Sequence, residues 1–322
     1  MKKYVLGIDT SAYTTSIAAV NIETGEIISD LRQVLSVPSG QKGLRQQDAV
    51  FQHLKNFEEL FQKIDFDLNE VDTVSVSSKP RNVENSYMPV FTVGQHYGKV
   101  ISKTLNCDYQ EYSHQENHIS ASLINDYKEI NRNILAIHIS GGTTEFLSVE
   151  KSNKGYDTEI IGGTKDITFG QLIDRMGVFL DFPFPCGFHM ENSIKNISKF
   201  EKIKHPSIAK SAFINLSGME NYYKNLYETG KYNKESIIYS IFEYVSNCIL
   251  SITENLKEKY KFNTIIITGG VSSNIIIRNL TENNLKHKFK LLFPSNKNSS
   301  DNAIGIAFLP IIDRWYNETK AY

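Results

Sequence analysis

The chain has 322 residues, 40% of them hydrophobic and 22% charged, which is enough for two domains of ordinary size with substantial cores. Thirty-five lysines and arginines against 36 acids leave a formal charge of −1. No global basic surface therefore marks a nucleic-acid binder or a membrane-surface protein, and any nucleic-acid contact must be local. The three cysteines, Cys107, Cys186 and Cys248, are far apart, which argues against a disulfide framework or a thiolate zinc site and fits a reducing compartment. Asp9 interrupts the first apolar run too early for a signal peptide, and no run of eighteen apolar residues follows, so a soluble, cytoplasmic chain without a membrane partner is expected.

Tyr4–Asp9 reads as a short strand, residues 10–16 as a hydroxyl-rich turn, Ile17–Asn21 as a second strand, and Ile27–Ser29 as a third after a hairpin turn. Asp9 and Ser11, at a strand end and its turn, can hold a hydrated cation or orient a water, or simply serve turn chemistry. Leu44, Val50, Phe51, Leu54, Phe57, Leu60 and Phe61 recur at helical spacing. A strand over Val71–Val76 then leads to the polar turn at 77–82, where Lys79 and Arg81 either face an anion or line a solvated loop; a helix follows over about Met88–Leu105.

His114 and His118 are four residues apart in a predicted helix, so both imidazoles reach one face and form half of a metal site, or are two surface histidines spaced by chance. The zinc-protease order is absent because the glutamate stands third, not second. A polar linker at 127–133 precedes the strand Ile134–Ile139, the turn Ser140-Gly141-Gly142-Thr143 and a further strand over Glu145–Val149. This repeats the opening arrangement, as an internally duplicated α/β fold would. The glycines allow backbone to approach a phosphate or carboxylate closely, or make an ordinary hairpin.

A helix is predicted over Gln171–Leu180, with Asp174 placed to bind a ribose hydroxyl or to pair with a neighbour, and a rigid loop over Phe182–Gly187. Few signals mark 200–234. A long amphipathic helix spans Glu235–Lys259, a buried strand Thr264–Thr268, and Gly269-Gly270 through Asn274 forms a glycine turn at that strand's carboxyl end, where open α/β sheets bind ligands. The last strand reads as Phe289–Phe293, a polar loop follows to Ser300, and Asp301 stands at a helix start as a third candidate metal ligand or as a helix cap.

Gly-Ile-Asp-Thr-Ser at 7–11, His114-x-x-x-His118, Ser140-Gly-Gly, Gly170-x-x-x-Asp174, Pro185-Cys-Gly187, Gly269-Gly-Val-x-x-Asn274 and Asp301-Asn302 stand in an order that resembles the TsaD family from end to end. That family is also called Gcp or the O-sialoglycoprotein endopeptidase family. The resemblance implies the two-lobed fold of actin, hexokinase and the heat-shock chaperone ATPases, with duplicated sheets around a nucleotide cleft. It implies an N-terminal lobe over 1–130, closed by a helix over 302–322, and a C-terminal lobe over 131–301.

The implied activity is transfer of a threonylcarbamoyl group from threonylcarbamoyl-adenylate to an adenosine beside the tRNA anticodon. By position, His114, His118 and Asp301 would hold one divalent ion, iron or zinc. Ser140, Gly141, Gly142, Thr143, Asp174, Gly187, Gly269, Gly270 and Asn274 would line a pocket for an adenine nucleotide, the adenylate or ATP, with Asp9 and Ser11 near the reacting groups. No nucleophile with a suitable base supports the older protease label.

The chain also departs from the family pattern, having Ala12 and Tyr13 where acids usually follow the first motif and Thr143 where a histidine follows Ser-Gly-Gly. A polar segment at 77–89 stands in place of a glycine-rich one. These differences are those of a divergent paralogue. They leave open a nucleotide-binding, non-catalytic protein that works through a protein partner or as a homodimer, and a carbamoyl transferase acting on a small molecule.

Overall fold

The computed structural model describes residues 2–11, 13–37, 44–127, 133–294 and 301–320. They form two compact units. Unit 1 is Met1–Asn131 with Lys151–Asp157 and Pro294–Tyr322; unit 2 is Arg132–Glu150 with Thr158–Phe293.

Unit 1 is built on β1 (Tyr4–Ser11), β2 (Thr14–Asn21) and β3 (Ile27–Val34), followed by α1 (Gln46–Phe61), β4 (Val71–Lys79), α2 (Phe91–Leu105), β5 (Asp108–Ser113) and α3 (His114–Leu123). The sheet order is β3-β2-β1-β4-β5. Its first three strands are antiparallel neighbours, whereas β4 and β5 run parallel to β1. Leu6, Ile8, Ile17, Val74 and Val76 pack with Phe57 and Leu60 of α1 in one core. The opposite face of β1 is covered by the chain's last helix, α9 (Ile304–Lys320). A side chain at Gly7 would overlap Ala303 and Ala307, so glycine is what lets that helix lie directly on the strand.

Gly305 does the same one layer further out. A Cβ there would overlap the carbonyl of Asn117 on α3, and the Asn117 side chain closes the contact by accepting from the Ile306 N–H at 2.9 Å and donating to the Asn302 carbonyl. α3 starts cleanly because Ser113 and Glu116 form a reciprocal cap: the Glu116 N–H reaches the Ser113 hydroxyl, and the Ser113 N–H reaches the Glu116 carboxylate.

Unit 2 comprises β6 (Ile134–Ile139), β7 (Thr144–Lys151), β8 (Tyr156–Thr164), α4 (Phe169–Phe179), α5 (Cys186–Ile194), β9 (Phe213–Ile214), α6 (Ser217–Glu228), α7 (Lys234–Tyr260), β10 (Thr264–Thr268), α8 (Ile275–Leu285) and β11 (Lys290–Leu292). The sheet order β11-β10-β6-β7-β8-β9, read from β8 to β11, repeats that of the first sheet: a hairpin partner on one side of the first strand and two parallel strands on the other. β9 is an added edge. α7 is long and apolar enough to cross a membrane, but Ile237, Ile241, Val245, Ile249 and Ile252 are buried in this unit's core.

Several boundaries differ from the sequence reading. Residues 10–11 and 14–16 are strand rather than turn. Their hydroxyls are satisfied inside the protein: Thr10 donates to the Val90 carbonyl at 2.9 Å, and Thr15 lies 2.8 Å from His53 Nδ1. Cys186 and Gly187 open α5 rather than ending a loop, because the Asp174 carboxylate accepts the Cys186 N–H at 2.8 Å and starts the helix. β5 is polar and β9 is two residues long, so neither carries an apolar pattern in the sequence, and α6 buries only Met219 and Tyr223. Asp301 is not the cap of the last helix; the Ile304 N–H is taken by the Asn302 side chain at 2.9 Å. Ala12 and most of the predicted 127–133 linker and 294–300 loop lie outside the described residues.

Asp166 ties the end of β8 to the start of α6 by accepting from the Leu216 N–H at 2.8 Å and the Ser217 N–H at 2.9 Å. Burial opposes its charge, but these N–H groups and that of Ile167 outweigh it and hold the carboxyl at about 2. A carboxylate depressed in this way adds stability above its unfolded value of about 3.9, and loses it as pH falls toward 2. Asp166→Asn should therefore lower the urea midpoint at pH 7, with the gap to the wild type closing between pH 4 and 2. Gly305→Ala should cost about 1–3 kcal/mol in the same measurement through overpacking of α3 against α9. Gly141→Ala, where a Cβ meets nothing within 4 Å, should stay within about 1 kcal/mol.

Candidate functional site

Three of the singled-out residues converge in unit 1. His114 and His118 occupy successive turns of α3, and their Nε2 atoms lie 3.0 Å apart. Asp301, brought beside them by the packing of α9 on α3, places Oδ1 3.5 Å from His114 Nε2 and 3.4 Å from His118 Nε2. Donors sitting about 2.0–2.2 Å from a common divalent ion have this separation, and two imidazoles with one carboxylate are a donor set that zinc or iron accepts. Side-chain exposures of 18%, 9% and 29% for His114, His118 and Asp301 leave the group reachable from outside.

Asp9 completes the arrangement. Its side chain is fully buried at the end of β1, and Oδ1 stands 3.0 Å from His114 Nδ1. A carboxylate only accepts, so that ring nitrogen carries the proton and Nε2 is turned toward Asp301, the relation in which a second carboxylate orients a metal-binding histidine. Burial works against a charge on His114, yet the carboxylates of Asp9 and Asp301 outweigh it and push its pKa up to about 10. Burial likewise opposes the charge on Asp301, and the two imidazoles outweigh it and hold the carboxyl well below its ordinary range. The local field thus calls for positive charge between these groups. Asp9 Oδ2 and the Ser11 hydroxyl, on the same face of β1, are buried without hydrogen-bond partners among the described residues.

The second set lies in unit 2, at the carboxyl ends of the adjacent parallel strands β6 and β10. Ser140 and Thr143 close a tight turn in which the Ser140 N–H donates to the Thr143 carbonyl at 2.8 Å and the Thr143 N–H to the Ser140 hydroxyl at 3.1 Å. Gly141 and Gly142 project from it into open space. The start of α4 buttresses the turn: Thr168 donates to the Gly141 carbonyl at 2.8 Å, and Gly170 leaves no room for a side chain against Ser140 and Gly141.

Gly269, at φ +95°, lies against the Ile139 backbone and brings the second glycine turn beside the first, while Gly270 faces open space. Asn274 caps α8 by accepting the Ile277 N–H at 3.0 Å, and its Nδ2 is buried without a partner among the described residues. Asp174 is engaged through Oδ1 with Cys186, and burial raises its pKa; Gly187 sits in the first turn of α5. Glu191, which the sequence did not single out, accepts the Ile275 N–H at 3.0 Å and ties α5 to the start of α8.

A family model described as TsaD, tRNA N6-adenosine threonylcarbamoyltransferase, matches residues 46–308. The protein of that name from Nanoarchaeum equitans is 27% identical over 323 residues, covering 99% of this chain and 96% of its own. Among solved structures, HypF of T. kodakarensis superposes with a TM-score of 0.65 at 10% identity over 99% of this chain and 48% of that one. A ROK family glucokinase from Streptomyces griseus, in complex with glucose and AMPPNP, gives 0.52 at 10% identity over 95% and 98%. At such identities these structures speak for the fold alone: the duplicated α/β architecture of the hexokinase and actin class. Because the family model spans well over half the sequence, the chain belongs to the TsaD family, described as tRNA N6-adenosine threonylcarbamoyltransferase.

Proposed function

We propose that this protein transfers a threonylcarbamoyl group from threonylcarbamoyl-adenylate to the adenosine beside a tRNA anticodon, using one divalent ion, iron or zinc, held by His114, His118 and Asp301. The convergence of those three donor atoms to within 3.5 Å, in a chain of this family, carries the reading. Bound there, the ion would supply Lewis acidity to the carbonyl that the adenine amine attacks.

The chain's own residues supply the rest. Asp9 fixes the tautomer and plane of His114. The Ser11 hydroxyl, buried and unpartnered, is a donor for the transferred carbonyl oxygen, and Asp9 Oδ2 is an acceptor for the proton leaving the amine. In unit 2, Gly141, Gly142 and Gly270 let backbone approach the adenylate. Asp174 keeps one carboxylate oxygen for a ribose hydroxyl, and Asn274 Nδ2 offers a donor.

Tyr13, 43% exposed where the family pattern has an acid, favours a second reading as a nucleotide-binding paralogue that acts through a protein partner. Combining the purified chain with a threonylcarbamoyl-adenylate source and unmodified tRNA, then measuring nucleosides by mass spectrometry, should yield the modified adenosine. No product under conditions where another family member works, with nucleotide still bound, would replace the first reading by the second.

Elemental analysis of the purified protein should find about one equivalent of iron or zinc. The double substitution His114→Ala, His118→Ala should abolish it, and Asp9→Asn should weaken metal affinity about 10–100-fold while the fold persists. Metal retained by the double variant would remove the proposed centre.

A further inference from the structure

On the face of α3 turned away from His114 and His118 lies a cavity of about 300 Å³ lined by Ser78, Lys79, Asn82, Glu111, Tyr112, Glu116 and Lys154, all in unit 1. Its two carboxylates are already committed. Glu116 accepts from the Ser113 N–H and hydroxyl at 2.7 Å and from the Tyr156 N–H at 2.9 Å. Glu111 accepts from the Tyr109 hydroxyl at 2.8 Å and from Gln95 at 3.1 Å, and pairs with Lys99 at 3.4 Å.

The two cations lining the cavity are not hydrogen-bonded to either acid, although the Lys79 charge favours the ionised form of Glu116. Among the described residues neither Lys79 nor Lys154 forms an ion pair: Lys79 donates to the Asn82 side chain at 2.9 Å, and Lys154 lies 5.5 Å over the Tyr112 ring. The walls are fixed. Asn82 is anchored by donating to the Tyr156 carbonyl at 3.1 Å, and the Pro80 carbonyl accepts the Gln115 N–H of α3 at 3.0 Å.

Lys99 offsets Glu111 and Lys79 offsets Glu116, which leaves the Lys154 ammonium in excess; a polar concavity with that charge, a second ammonium, a hydroxyl and an amide is suited to an anion rather than to a metal or an apolar ligand. We propose that this cavity is a phosphate-binding site, in which Lys79 and Lys154 hold a phosphoryl group presented either by an RNA backbone or by a free phosphate compound. The RNA source rests on the tRNA reading above; phosphate binding itself does not.

The test compares the full chain with its Lys79→Met, Lys154→Met variant, using inorganic phosphate in calorimetry and an unmodified tRNA transcript in fluorescence anisotropy at several salt concentrations. Circular dichroism and metal content confirm that the variant is folded. Phosphate should bind the wild type saturably and the variant at least tenfold more weakly. If the source is RNA, tRNA affinity falls by a similar factor, and the salt slope drops by about one. If it is a free phosphate compound, phosphate binding is lost while tRNA affinity and slope are unchanged. Equal phosphate affinity in both proteins, or no phosphate binding to the wild type together with unchanged tRNA affinity, overturns the site.

Discussion

The contact on which most of the candidate chemistry depends is the close approach of α9 to α3. Asp301 stands 183 positions after His118, and nothing local in either segment directs one to the other. Gly305 removes the side chain that would hold the helices apart, and Asn117 answers the two backbone groups exposed by bringing them together. With that contact made, Asp301 faces the imidazoles and Asp9 stands behind them; with a larger residue at 305 the carboxylate and the rings would separate.

This arrangement divides labour between two kinds of carboxylate. Asp301, partly exposed, faces the Nε2 atoms, whereas Asp9, fully buried, meets Nδ1 of the same ring. The first can share a ligand and the second orients its neighbour through Oδ1, so the two are not interchangeable despite identical chemistry. Asp174 and Asn274 in unit 2 show a related economy. Each uses one side-chain oxygen to start a helix and keeps a second polar atom in reserve. A helix-cap role and a ligand role therefore coexist in one residue.

The long elements were legible because their patterns are strong. α7 repeats its isoleucines at helical spacing, β10 is an unbroken apolar run, and the duplicated strand-turn-strand units show in the motifs themselves. The spacing of His114 and His118 likewise announced a shared face. The special standing of Asp9 beside His114 was not legible, since only the parallel pairing of β1 with β4 and of β4 with β5, and the step from β5 into α3, bring residues 105 positions apart into contact. β5 was hidden by its own polarity: Asp-Tyr-Gln-Glu-Tyr-Ser is satisfied by partners such as Gln95 and Asp313 that lie elsewhere in sequence. Gly187 was read as loop because its helix is started from outside, by Asp174.

The seat of α9 on Gly7 also bears on how the chain matures. β1 is covered on one side by α1 and α2, which follow within about a hundred residues, but its other side waits for α9, which comes after all of unit 2. Growing from the N-terminus, the polypeptide must carry that half-finished sheet through synthesis of nearly all of unit 2. Completion of the first unit is thus a late event, and loss of α9 would leave that side of β1 open to association with other chains.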